Sequence, residues 1–424
     1  MNDARPYISL RECLSLIIDN RGKTPKSSPD NSEYRILSAN QVKFSGLVKT
    51  DSINWADRST YTTWMQEEIE GGDILLTSEA PAGQAMLWDS NEKVVVGQRL
   101  FCLRTNSKVY NKYLKYYLQS SIGQAEIQKN TSGSTVFGIS SKMFDLIKVL
   151  IPTYENQVLI GDLLYLLDSK ITLNNKINFE MEQLAKTLYD YWFVQFDFPN
   201  ENGKPYKSNG GEMVWSEELK RKIPAGWEIK ELGAEIEIQR GISYTSEEID
   251  SKGIPMINLN SFNLDGTYKH NGVKLYSGKF SEKNIVNPGD LLIAATDVTR
   301  NADIIGKAIM APDYYGDELV FSMDIAKIIP NNIPCSYLML LFNSKHYHNY
   351  IKWYATGTLV LHLNLDGVKR YRTELPPNNL LKKYDSLYQP IANRIYKTAK
   401  ENQYLAELRE WLLPMLMNGQ VRVN

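Results

Sequence analysis

Three short polar loops occur twice in this chain. Asn20-Arg21-Gly22-Lys23-Thr24 corresponds to Gln239-Arg240-Gly241-Ile242-Ser243, and Ser38-Ala39-Asn40-Gln41 to Asn258-Leu259-Asn260-Ser261. Thr131-Ser132-Gly133-Ser134 corresponds to Ala355-Thr356-Gly357-Thr358. Each stands at the end of an apolar run, and glycine permits close backbone approach. Arg, Lys, Asn, Gln, Ser and Thr side chains can contact phosphates or read base edges. By position, the candidates in the first copy are Arg21, Lys23, Ser38, Asn40, Gln41, Ser78, Glu79, Arg99, Ser132 and Ser134. Those in the second are Arg240, Ser243, Asn258, Asn260, Thr296, Arg300, Thr356 and Thr358. Any one such loop reads as well as a plain turn. The set, repeated in order with changed polar residues, is better explained by two related binding faces of different specificity. Arg99 has Asp324 opposite it in the second copy. Different targets would require such a mismatch, and an incidental surface change would also produce it.

Catalytic chemistry has no comparable signature. No G-x-G-x-x-G follows a strand and no G-x-x-x-x-G-K-[ST] occurs, so no phosphate-cradling loop is visible. The histidines (His270, His346, His348 and His362) all lie in the second copy, and they read as structural rather than metal-binding. Pro312-Asp313 with Asp317-Glu318 faintly matches a nuclease metal cluster, but Val320 stands where its lysine should be. Pro376-Pro377-Asn378 does not form the Asn-Pro-Pro-aromatic signature of amino-methyltransferases. A duplicated enzyme would show its acid, base or nucleophile in both copies, and none repeats. The cysteines (Cys13, Cys102 and Cys335) are scattered, which argues against a disulfide framework or a zinc site.

The elements that must position the loops also repeat. Glu155 to Phe196 contains no proline and one glycine, with Leu163, Leu167, Ile171, Met181, Leu184, Leu188 and Tyr191 three and four residues apart. That is the stripe of a long amphipathic helix with a coiled-coil-like seam. Asn174 and Asn178 sit on or beside the seam, where polar residues cost stability but fix register. At ~1.5 Å per residue the helix would be on the order of 55 Å long, and it needs a partner for its stripe. Leu387, Ile391, Ile395, Asn402, Leu405, Leu408 and Leu412 repeat the pattern at the offset that separates Leu163 from Leu387. The collinear matches extend through Tyr113-Leu114 with Tyr337-Leu338, and Ile151-Pro152 with Leu375-Pro376. Gly72-Asp73-Ile74-Leu75-Leu76 matches Gly289-Asp290-Leu291-Leu292-Ile293 after small insertions. Periods this long mean duplicated domains, not a solenoid.

The expected organisation is a globule over 1–153, a long helix over 154–195, a connector over 196–225, a second globule over 226–377, a second helix over 378–414 ended by Pro414, and a tail over 415–424. The connector, rich in Gly, Pro, Asn, Lys and Ser, reads as a linker rather than a core element. The tail reads as a strand-like segment packed on the first globule. Connectivity predicts α+β globules, with α/β target-binding units in tandem, joined by two antiparallel helices with a pseudo-two-fold axis: a dumbbell. With 43% hydrophobic and 11% aromatic residues among 424, both globules can build cores. No apolar run resembles a signal peptide or spans a membrane, so the expectation is no membrane contact and a cytoplasmic location. The net charge of −1 argues nothing for nucleic acid, so such a reading rests on local patches or on a partner's positive charge.

Asp168-Ser169-Lys170-Ile171-Thr172-Leu173-Asn174 and the segment ending Tyr191-Trp192-Phe193 resemble type I restriction–modification specificity subunits. So does the connector, from Phe196-Asp197-Phe198-Pro199 through Gly203-Lys204-Pro205-Tyr206 to Ile223-Pro224-Ala225-Gly226-Trp227, and so do Leu412-Leu413-Pro414 and Leu416-Met417-Asn418-Gly419. The resemblance implies two target-recognition domains, each reading half of a split, asymmetric double-stranded DNA sequence. It implies that the paired helices set the spacer and dock two methyltransferase subunits. No cofactor is expected on this chain. S-adenosylmethionine, ATP and Mg are expected on the methyltransferase and restriction subunits. A ~55 Å rod spans about 16 base pairs at ~3.4 Å per step, placing half-sites on neighbouring turns. The alternatives are a duplicated protein-binding scaffold that docks peptides at strand edges, and an enzyme fused to a recognition unit, which the missing methyltransferase motifs disfavour.

Overall fold

A computed structural model describes residues 6–20, 24–28, 33–48, 53–132, 137–269, 271–313, 315 and 318–421. The chain divides into two compact units, Met1–Asn174 with Glu401–Asn424, and Asn175–Lys400.

In the first unit, β1 (Leu14–Asp19), β2 (Tyr34–Leu37), β3 (Asn54–Ala56), β4 (Ile74–Thr77), β5 (Ala85–Leu87), β6 (Val94–Val96) and β7 (Leu100–Thr105) form two sheets. One is antiparallel in the order β1-β7-β4-β5. The other has the order β3-β2-β6, with β2 and β6 parallel. The unbroken apolar runs of β4 and β6 are buried throughout, as strands covered on both faces must be. Helices α1 (Asn111–Gln119) and α2 (Ser121–Lys129) follow. Tyr113, Tyr116 and Tyr117 of α1 are fully buried, and their hydroxyls reach the Leu150 carbonyl, the Asp168 carboxylate and the Lys148 carbonyl. Buried tyrosines need such partners.

Helix α3 (Tyr154–Tyr189) leaves this unit and ends in a wider π-helical turn, Asp190–Val194. Then comes a hairpin of β8 (Met213–Ser216) and β9 (Arg221–Pro224). The segment over 196–225 is not a bare linker. Phe196, Phe198 and Ile223 lie in the second unit's core, Phe198 stacks between Tyr206 at 4.6 Å and Trp227 at 5.5 Å, and Arg221 pairs with the buried Glu374. The Asp197 carboxylate accepts from the Ser208 amide and hydroxyl at 2.7 and 2.6 Å, which closes the loop on itself. The Gly, Pro and Asn content marks its turns, while its few aromatic residues anchor it.

The second unit repeats the topology. Strands β10 (Ile236–Arg240), β11 (Ile249–Ile257), β12 (Lys274–Tyr276), β13 (Leu291–Ala294), β14 (Thr296–Asp297), β15 (Ala308–Met310), β16 (Val320–Phe321) and β17 (Ile325–Pro330) follow in order. The four-stranded sheet is β10-β17-β13-β15, and β12-β11-β16 has β11 and β16 parallel. After α4 (Cys335–Phe342) and α5 (Lys345–Ile351), β19 (Leu361–Leu363) pairs with both β14 and β18 (Ala355–Thr356) as a third sheet.

Helix α6 (Asn378–Met417) runs through Pro414 instead of stopping there. The hydrogen bond that proline cannot donate would have gone to the carbonyl of Glu410, an exposed residue that water can reach. Three residues further on, Leu416 and Met417 are fully buried in the first unit's core. The described tail is a turn, not a strand: the Gln420 amide bonds the Met415 carbonyl at 2.9 Å, with Gly419 at φ +79. Val421 does pack against the first core.

Within each unit the two long helices run antiparallel. In the first, Asp168 meets Arg409 at 2.9 Å and Asn174 meets Asn402 at 2.9 Å. In the second, Asn178 meets Thr398, and Tyr189 lies against Tyr384. The expected apolar stripe shifts towards the end of α3. Leu184 and Tyr191 are exposed, while Ala185, Tyr189, Trp192 and Phe193 are buried. The larger rings win that face by packing on Tyr337 and Tyr384. Leu387 and Leu408 of α6 are also exposed.

Candidate nucleic-acid interface

In the first unit, the segments carrying the candidate residues are tied by backbone hydrogen bonds at one end of the sheets. The Gly97 amide bonds the Leu37 carbonyl at 2.9 Å, beside Ser38. The Ser78 amide bonds the Arg99 carbonyl at 3.0 Å, and Gly138 bridges both Glu79 and Ser132. Ser38, Asn40, Gln41, Ser78, Glu79, Arg99 and Ser132 therefore belong to one cluster. Thr24, Ser27, Ser38, Asn54, Gln98 and Arg99 line a cleft of about 250 Å³ within it. Arg21, Lys23 and Ser134 lie outside the described residues.

The second unit has the same wiring with other side chains. The Ser322 amide bonds the Ile257 carbonyl at 2.9 Å, beside Asn258. The Ala295 amide bonds the Asp324 carbonyl at 2.8 Å, and His362 pairs with both Thr296 and Thr356. Thus Glu79, Gly138 and Ser132 occupy the positions of Thr296, His362 and Thr356, and Arg99 that of Asp324. The first unit places an Arg99–Glu79 ion pair of 2.7 Å where the second has the Thr296 hydroxyl 3.4 Å from the Asp324 carboxylate. Arg240 ends β10, and the Ile242 amide on the Phe321 carbonyl and the Met323 amide on the Ile242 carbonyl tie its loop to the Phe321–Asp324 segment. That brings Arg240 and Ser243, both exposed, to the same cluster.

The candidates divide by what their side chains do. Gln41 is buried and completes a capping box with Ser38, its Oε1 accepting from the Ser38 amide at 3.0 Å. Asn258 is 2% exposed. It accepts from the Asn260 amide at 2.9 Å and donates to the Gly272 carbonyl at 2.8 Å. These two side chains hold their loops. Ser78 and Thr296 are likewise buried. Asn40, Arg99, Ser132, Arg240, Ser243, Asn260, Arg300, Thr356 and Thr358 are exposed and able to meet a partner. Gln98 was not among the candidates. It accepts from the Thr24 hydroxyl at 2.6 Å and neighbours Arg99, and its place after Gly97 was the available signal.

The Asp297–Ile305 turn carries Arg300. Asp297 is fully buried, and its carboxylate accepts from the amides of Thr299, Ile304 and Ile305 at 2.6, 2.7 and 2.9 Å. Behind it, burial pushes the His348 imidazole down to about 4, helped by the nearby charges of Lys352 and Lys307. It is therefore neutral at pH 7 and brings no positive charge to this face. Among the described residues no group of three His, Cys, Asp or Glu side chains is placed to hold a metal, and no helix is long and apolar enough to cross a membrane. Cys13, Cys102 and Cys335 are free thiols.

Residues 17–183 and 224–386 each match the family model described as the type I restriction modification DNA specificity domain. The chain belongs to this family. As a specificity subunit with two such domains in tandem, it is not an enzyme, and the scaffold without DNA specificity is set aside. The MjaIX specificity subunit of Methanocaldococcus jannaschii is 26% identical over 378 residues, covering 83% of this chain and 78% of that one. The HindI specificity subunit of Haemophilus influenzae is 24% identical over 413 residues, covering 84% and 88%. The solved type I restriction-modification S subunit from M. genitalium, 14% identical, aligns over 98% of this specificity subunit and 97% of its own length with a TM-score of 0.60, a likeness of fold.

Proposed function

We propose that each unit of this specificity subunit reads one half of a bipartite, asymmetric double-stranded DNA target. The observation that carries this reading is the pair of equivalent clusters, Arg99–Glu79 with Ser132 and Asp324–Thr296 with Thr356. Identical backbone wiring with different polar groups is what two different base sequences demand. Helices α3 and α6 set the spacer between the halves and dock two methyltransferase subunits in the cytoplasm. S-adenosylmethionine would bind those subunits, and ATP and Mg the restriction subunits. The near-neutral charge of this chain fits that division, with part of the phosphate-binding charge supplied by partners.

The test is co-expression with a methyltransferase subunit that forms a complex with this chain, followed by single-base mapping of methylation across the host DNA. A split motif with a fixed gap, methylated on both strands, is the expected result. A stable complex that methylates no defined motif would overturn the reading.

A further inference from the structure

The sheet of β14, β19 and β18 ends in apolar side chains that stand exposed among the described residues. Thr296 and Asp297 pair with His362 and Leu361. Val298 and Val360 are the residues directly beyond the last pair, Asp297 with Leu361. Val298 is 64% exposed, Val360 39%, and Leu359, at the tip of the β18–β19 turn, 89%. The other end of the same sheet is anchored, since Leu363 and Leu365 lie in the core.

The tip is preformed. Gly357 has φ +131, and a Cβ there would stand 2.1 Å from the Val360 carbonyl oxygen, so only glycine makes this turn. The neighbouring turn is fixed by the three amides on Asp297 and by the Asp303 amide on the Thr299 hydroxyl at 2.8 Å. A single exposed leucine needs no explanation. Three adjoining apolar side chains on a rigid tip, flanked by exposed Thr356, Thr358 and Arg300, form an apolar point with phosphate-binding groups at its sides. The first unit has Phe137, 64% exposed, next to Gly138 in the equivalent loop.

We propose that Leu359, backed by Val360 and Val298, is a wedge that enters the stack between two base pairs in the second unit's half of the target, locally unstacking and kinking the duplex. Leucine and phenylalanine fit between partly unstacked base pairs, and the kink lets flanking polar groups reach more of the backbone. The wedge rests on the DNA reading above and adds a mode of contact to it.

The experiment uses the chain with its co-expressed methyltransferase and a duplex carrying the mapped motif. 2-Aminopurine is placed in turn at each position of that half-site other than the methylated base. Fluorescence should rise about threefold or more at one step on binding. Leu359→Ala should remove most of that rise and weaken binding about tenfold, and Leu359→Phe should restore it. Leu264→Ala, at an exposed leucine outside the cluster, should change neither. Specific binding with no brightening at any position would overturn the wedge and leave the DNA reading standing. Failure to prefer the motif over scrambled duplex would overturn both. Loss of the methyltransferase from Leu359→Ala, with fluorescence unchanged, would make the tip a protein contact and overturn the wedge.

Discussion

Asn174 donates its side-chain amide to Asn402 at 2.9 Å and to Glu401 at 2.7 Å, from a position only 1% exposed. It is the most buried of the polar links between the two long helices in the first unit, which include Asp168 with Arg409. The repeat offset sends Asn174 to Thr398 and Asn402 to Asn178, and in the second unit those two residues meet. Duplication has thus conserved the polar pair in both places, where it sets register at some cost in stability. Asn174→Asp replaces the donor with a carboxylate beside Glu401. It should cost about 2–3 kcal/mol, read as a fall in Tm of several degrees. An unchanged melt would show that the bond does not form.

Asp168 gathers Lys115 at 2.8 Å, the Tyr116 hydroxyl at 2.6 Å and Arg409 at 2.9 Å. Removing it strands the buried Lys115, so Asp168→Ala should cost about 3–5 kcal/mol. Burial alone would raise the Asp168 carboxyl, but Lys115, Tyr116 and Arg409 outweigh it and hold it below the usual carboxylate range. The native state then binds fewer protons than the unfolded chain as pH falls through that range. The stabilisation is full above ~pH 4 and is lost below it as the native carboxyl protonates. Asp168→Asn should therefore flatten the acid limb of the Tm–pH curve. An acid limb as steep as that of the native chain would refute this.

Glu182 of α3 behaves in the opposite sense. Burial, with Asp265 nearby, pushes its carboxyl up to about 7. Its contribution is full below the ordinary value of ~4.5 and is lost as pH rises through 7. Glu182→Gln keeps the shape without the charge. Its Tm should match the native chain at about pH 4 and exceed it by about 2–4 °C at about pH 8. A constant difference across that range would contradict the account.

Arg300 stands exposed on a turn held by Asp297, and under the proposed DNA reading it is a candidate phosphate contact. Arg300→Ala should weaken binding to cognate and scrambled duplexes alike and lower the salt slope by about 1. Loss confined to the cognate duplex would instead make it a base reader.

The repeat and the helices were legible because apolar spacing is a long-range, redundant signal, shared by Leu163 and Leu387 and by a dozen neighbours. The end of α6 was not. Proline breaks helices in general, but Leu416 and Met417 bury beyond Pro414, and burial depends on a core that lies far away in sequence. The same limit applies to 196–225, where composition points to a linker while Phe196 and Phe198 go to the core. At the site, sequence showed which loops repeat but not which side chains face out. Gln41 and Asn258 cap 3-10 turns with the same groups that could read a base. Only the fold separates them from exposed Asn40 and Asn260. The pairing of Glu79, Gly138 and Ser132 joins segments too distant for local pattern to reveal.

The central claim, one half-site per unit, is tested most directly by mapping methylation motifs for Arg99→Ala and Arg240→Ala, each co-expressed with the methyltransferase. Each variant should relax or change one half of the split motif, a different half for each, with the gap unchanged. A single substitution that altered both halves, or two that altered the same half, would contradict the claim.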